Sequence, residues 1–165
     1  MTPHEWDDFI ARPKRLDGIP TFREEQNNPS ELRAHYAILF EDGRLSGKRL
    51  TMVAYPGDEL PAFTFLIARP TLLRVTVSFQ TREHANVDGP EDWPRLVVGP
   101  RWYPYQGNRS RINPVGKEGR LLAKPLPSDY HTWEAAFGWL CMHANIMIAV
   151  GQPPAFPRAT GLFGT

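Results

Sequence analysis

Leu73, Val75, Val77 and Phe79 alternate with Arg74, Thr76, Ser78 and Gln80, and no other stretch restricts the folding of this chain as tightly. A period of two, apolar on one side and polar on the other, marks a half-buried antiparallel strand. The chain must therefore build a sheet with one covered face and one wet face. Three runs upstream extend that sheet. Tyr36, Ile38 and Phe40 alternate with His35, Ala37 and Leu39, and Leu50 to Tyr55 and Ala62 to Ala68 are apolar stretches closed off by Pro56-Gly57-Asp58, Pro61 and Pro70. No helix-length segment separates the runs, so they are expected to be consecutive antiparallel neighbours. Arg95 to Val98 reads as a short fifth strand and Arg120 to Ala123 as a sixth. Residues 101–118 read as an irregular loop, and turn residues dominate residues 13–32.

Two helices complete the pattern. Thr2 caps the first, Pro3 suits its first position, and Glu5 completes a capping box. Trp6, Phe9 and Ile10 then share a face, and Pro13 stops the helix. The second is expected to start at Ser128 or Asp129. Trp133, Ala136, Phe137, Leu140, Cys141, Ala144 and Ile148 recur at helical spacing, and Trp139, Met142 and Ile146 widen the stripe. The expected fold is α+β. It is an antiparallel β-meander of about five to six strands, with a short N-terminal helix and a long C-terminal helix packed on one face. Residues 1–150 form a single domain, followed by a Pro/Gly-rich tail over residues 151–165.

Composition excludes several classes of function. The 19 basic residues nearly balance the 18 acidic ones, so net charge makes no global claim on nucleic acid or membrane. Seventeen prolines and 13 glycines argue against a helical bundle. The single cysteine, Cys141, forms no internal disulfide, rules out the cysteine-rich kind of zinc site and reads as a core residue. The N-terminus carries no apolar leader, and no window approaches the roughly 20 apolar residues of a bilayer span. A cytoplasmic protein without cofactor or metal is expected, since no two histidines have zinc-ligand spacing and no P-loop, nucleophile elbow or dinucleotide fingerprint occurs.

Two segments can carry chemistry. His84, Asn86 and Asp88 sit at every other position after the strong strand, so an imidazole, an amide and a carboxylate can project to one side for acid–base work. The competing reading is a turn, Asp88-Gly89 being a common turn pair. The second segment runs from Arg95 to Lys124. It holds Arg95, Arg101, Arg109, Arg111, Lys117, Arg120 and Lys124 against one acid, Glu118, with Trp102, Tyr103 and Tyr105 among them. Cations neutralise phosphates and aromatic faces stack on unpaired bases, which suits single-stranded nucleic acid or an acidic protein partner. The competing readings are aromatics packed back on the sheet and arginines paired with the acidic N-terminal third.

Leu72 to Val77, then His84-Ala85-Asn86-Val87-Asp88-Gly89, then Pro125-Leu126, then a helix closing on Ala144-Asn145-Ile146 form an ordered series. The series resembles a family of small uncharacterised bacterial and phage-encoded proteins, whose pattern has an H-x-N-P-D-G turn and a final helix ending C-N-I. The family's paired histidines have no counterpart here, where the chain reads Pro94-Arg95-Leu96-Val97-Val98. The resemblance implies an α+β fold in a mobile-element setting. A fainter likeness to ubiquitin-conjugating enzymes rests on the initial helix, the meander, the Pro-flanked Tyr55 to Pro61 segment and His84-Ala85-Asn86. The catalytic cysteine of those enzymes is missing. The expected function is a non-enzymatic binding protein of a bacterial or phage accessory system, presenting the basic-aromatic loop to its partner. The alternatives are an acid–base hydrolase using His84, Asn86 and Asp88, and a structural subunit with an aromatic oligomer interface.

Overall fold

A computed structural model describes residues 2–68, 70–79, 83–112 and 121–159. In chain order its elements are helix α1 (Pro3–Ala11), then strands β1 (Lys14–Asp17), β2 (Arg23–Glu25), β3 (Asn28–Phe40), β4 (Leu45–Tyr55), β5 (Ala62–Ala68) and β6 (Leu73–Val77). A short ribbon follows, β7 (His84–Ala85) with β8 (Leu96–Val97), and then β9 (Arg101–Tyr103) and helix α2 (Tyr105–Asn108). The chain closes with β10 (Lys124–Pro125), helix α3 (Trp133–His143) and β11 (Ile146–Met147). The fold is α+β, with a mostly antiparallel open sheet, a short N-terminal helix and a C-terminal helix.

Among the described residues the main sheet has nine strands in the order β10-β9-β6-β5-β4-β3-β1-β11, with β2 also paired to β3. β3 to β6 form the expected meander, and only β11 runs parallel to its neighbour, β1. Register aligns Tyr36 with Leu50, Leu50 with Ile67, and Ile67 with Leu73, so one face presents continuous apolar rows. Leu73, Val75 and Val77 are buried on that face, whereas Phe79 lies beyond the strand and is 48% exposed. α3 covers the rows with Trp133, Phe137, Leu140 and Cys141, all buried. The Trp133 and Phe65 rings lie 4.5 Å apart, and those of Phe137 and Phe65 5.4 Å apart. Burying each such side chain contributes about 1.5–3 kcal/mol.

α1 forms as its residues dictate. Thr2 and Glu5 make the reciprocal capping box, and Trp6 and Phe9 bury against the core. Arg12 is extended, as a residue before proline prefers, and ends the helix. The buried Lys14 ammonium then donates to the carbonyls of Phe9, Ile10 and Arg12, satisfying the helix end. Burial pushes its pKa down to about 8.

Several expectations are corrected. The sheet has more strands than a five- or six-stranded meander. Residues 13–32 hold β1, β2 and the start of β3, short charged segments whose pairing partners lie elsewhere in the chain. Leu96–Val97 pairs with His84–Ala85 in a separate ribbon instead of joining the main sheet. Residues 101–112 contain β9, α2 and a 3-10 turn. The expected sixth strand, Arg120 to Ala123, does not form there: Leu121 to Ala123 belong to no strand, the pairing falls at Lys124–Pro125, and residues 113–120 fall outside the described residues. The C-terminal helix is 11 residues long. Ser128–Tyr130 form a 3-10 turn, and Thr132 is the true cap, its hydroxyl accepting from the Ala135 amide at 3.2 Å.

Asn145 ends α3. It takes a left-handed φ of 53°, and its side-chain amide donates to the Ala11 carbonyl at 2.6 Å, which aims the chain into β11 beside β1. Asparagine tolerates this conformation better than most residues. Asn145→Ala is expected to lower stability by about 2 kcal/mol through backbone strain and the lost bond. Urea unfolding reads the loss, and Asn145→Gly should recover part of it. The tail residues 151–159 form a strap. Trp133 donates to the Pro154 carbonyl at 2.8 Å, and Phe156 packs 5.1 Å from the Trp133 ring. Among the described residues, no helix is long and apolar enough to cross a membrane.

Candidate functional site

His84 and Asn86 point to the chain entering β10. His84 Nε2 lies 2.8 Å from the Leu121 carbonyl, which only accepts, so that nitrogen carries the proton. The ring meets Tyr103 edge-on at 5.2 Å. Asn86 is buried; its Nδ2 donates to Pro94 O at 2.7 Å and Ala123 O at 2.8 Å, and its Oδ1 accepts from Ala123 N at 2.8 Å. Asp88 adopts a left-handed φ of 56°, and its carbonyl accepts from Arg111 at 2.6 Å. A cleft of about 530 Å³ takes in Asn86, Asp88, Glu91, Trp93 and Arg95, but not His84. The amide of Asn86 is thus committed to the backbone of residues 94 and 123.

Asn108, which the sequence reading passed over, repeats the device one residue earlier. It donates to Pro104 O at 2.9 Å and Leu122 O at 2.8 Å and accepts from Leu122 N at 2.6 Å. Two buried asparagines therefore grip two successive peptide units, each acting as a strand partner would.

The basic-aromatic segment folds inward. Tyr103 and Tyr105 are buried, and Trp102 is half-buried on the covered face. Arg109 pairs in bidentate fashion with Asp7 at 2.7 and 2.6 Å, and the Tyr105 hydroxyl donates to the same carboxylate at 2.6 Å. Arg111 donates to the carbonyls of Val87 and Asp88, and Arg101 to that of Val97. Arg95 is exposed at the rim of the cleft. Of these arginines, Arg109 pairs with the acidic N-terminal helix, and the Tyr103 and Tyr105 rings pack inward.

The Arg109 guanidinium, then the Tyr105 hydroxyl, hold the Asp7 carboxyl at about 2, below its ordinary 3.8. On acidification the unfolded chain binds this proton before the folded one does. The stability from Asp7 is therefore whole above about pH 4 and lost between about pH 4 and 2. Asp7→Asn is expected to unfold more easily than the parent protein at about pH 6, with the gap narrowing below about pH 4. A gap that stays constant on acidification would refute this.

Cations collect on the open face of the sheet. Register lines up Arg23, Arg33, Val53, Thr64, Thr76 and Arg101 in one row, and His35, Thr51, Leu66, Arg74 and Tyr103 in the next. Arg49 lies opposite Ala37, and Arg15 opposite Leu39, on the same face. Among the described strand residues, this face carries six arginines (15, 23, 33, 49, 74 and 101) against Asp17, Glu25 and Glu31. That excess of three exceeds the formal net charge of the whole chain, +1. Glu31 is buried under Arg33 and accepts from the Tyr55 hydroxyl at 2.7 Å.

His35 lies beside two of these arginines. Burial, then the Arg49 and Arg33 guanidinium groups, hold its pKa below the ordinary imidazole value. A hollow of about 580 Å³ lies among Arg33, His35, Arg49 and Thr51, and an adjoining one of about 450 Å³ shares Arg33 and His35 and adds Arg23; Glu25 lines both and Glu24 the second. Arg23, Arg33, His35 and Arg49 are all exposed. A trace was present in the sequence: Arg74 and His35 each occupy the polar phase of a strand. Only register shows that those phases coincide.

Burial pushes the Cys141 thiol up to about 12, leaving it a neutral core group. Among the described residues no cluster of three histidine, cysteine or carboxylate side chains is placed to hold a metal ion. Comparison with protein-family models, curated proteins and solved structures returns no match. Fold and face define an α+β protein with one side of its sheet closed by helices and the other carrying exposed arginines over β1 to β4, its β9 end covered by the β7–β8 ribbon.

Proposed function

We propose that this is a non-enzymatic binding protein whose open sheet face takes the phosphate backbone of single-stranded nucleic acid, as an accessory of a bacterial or phage system. The charge segregation carries the reading: six arginines on one face of a chain that is nearly neutral. Guanidinium groups grip phosphate oxygens in bidentate fashion, and Arg15, Arg23, Arg33 and Arg49 stand exposed on this face. Duplex grooves admit a helix or a two-stranded ribbon, and a broad sheet face is neither. Few aromatics stand on this face, so backbone contacts, tolerant of sequence, dominate. The ordered series from Leu72 to Ile146 supports the bacterial or phage setting.

Fluorescence anisotropy with a labelled oligothymidylate of about ten nucleotides, within the site sizes of small single-strand modules, tests the reading. Saturable binding that duplex DNA and polyglutamate compete for weakly is the expected result. Displacement by polyglutamate at equal charge would overturn it in favour of an acidic protein partner.

A further inference from the structure

We infer a second binding site, on the covered side of the sheet, for a flat aromatic ligand bearing a negative charge. A cavity of about 340 Å³ lies between β9, α2 and the end of α3, walled by Trp93, Trp102, Tyr105 and His143, with Gln106 and Lys124 as its polar members. Flat aromatic walls with a few polar groups are what a planar ligand needs. The walls are braced from behind. Trp102 lies tilted against His143, ring centres 4.5 Å apart, and meets Trp139 edge-on at 5.2 Å. Trp93 lies against Gly107, where any Cβ would collide with its ring. Glycine thus sets the position of that wall.

Charge selects the ligand. An aromatic cage ordinarily suits a cation, but here the Lys124 ammonium already sits 4.4 Å from the centre of the Trp93 ring. Among the described residues no carboxylate lines the cavity, and burial keeps the His143 pKa below the ordinary imidazole value. A cationic guest would meet Lys124 uncompensated, whereas an aromatic carboxylate pairs with it. The site is independent of the arginine face, which lies on the other side of the sheet.

Calorimetric titration of the full chain with indole-3-carboxylate and with tryptamine tests the inference. The carboxylate is expected to saturate a single site, with tryptamine at least tenfold weaker. Lys124→Gln, at a half-exposed position, should erase that preference, and Trp93→Ala should abolish carboxylate binding while circular dichroism shows an unchanged fold. If Trp93→Ala does not fold, the Lys124→Gln comparison decides. Absence of saturable binding by the parent protein, equal or tighter binding of tryptamine, or a preference that survives Lys124→Gln would overturn the site.

Discussion

Asn108→Ala is expected to destabilise the protein by on the order of 3–5 kcal/mol. The side chain is 1% exposed and makes three hydrogen bonds, two to carbonyls and one from the Leu122 amide. Alanine leaves all three backbone groups dry, at about 1–3 kcal/mol each, with partial relief from relaxation. Asn108→Asp separates the causes. It keeps the acceptor for Leu122 N but turns a carboxylate oxygen toward two carbonyls, so it should do at least as much damage at neutral pH. Urea unfolding measures both, and a loss below about 1 kcal/mol for alanine would remove Asn108 from this role. Asn86→Ala should behave alike, because it leaves Ala123 and Pro94 in the same condition.

Reversing Arg23 and Arg49 together, Arg23→Glu with Arg49→Glu, is expected to weaken oligothymidylate binding by on the order of a hundredfold at low salt. Both residues are exposed on the open face and line its hollows. Substituting them therefore leaves core packing intact. Arg33 is a poorer probe because it also holds Glu31 and lies 3.5 Å from Glu25. The reversal should leave thermal unfolding nearly unchanged, since isolated surface charges contribute little. Unchanged binding with an unchanged melting temperature would move the interface off this face. Arg95→Glu, at the rim of the separate cleft, serves as the matched control.

The legible parts of the fold are those written in local periodicity. The apolar phase of β6, the capping box at Thr2 and Glu5, and the buried stripe from Trp133 to Cys141 each depend on residues within a few positions. The end of α3 was not legible in the same way. The apolar pattern runs on through Ile148, but the chain turns at Asn145 because Ala11, far away in sequence, offers a carbonyl. β1 and β2 were hidden for a related reason: four- and three-residue charged segments become strands only when β3 pairs with them.

The same divide separates the sites. The cations of the 95–124 segment were conspicuous because they are contiguous, yet Arg109 is taken up by Asp7 and Arg111 by the turn at residues 87 and 88. The cations of the open face are dispersed over six strands and become a surface only through register.

The most direct measurement is the salt dependence of oligothymidylate binding to the unmodified protein. Contacts to three to six phosphates predict that log Kobs falls linearly with log salt, with a slope of about −2 to −4. The double reversal should make that slope shallower by about one unit or more. A slope near zero, or no binding at the lowest salt, would contradict a phosphate-gripping sheet face.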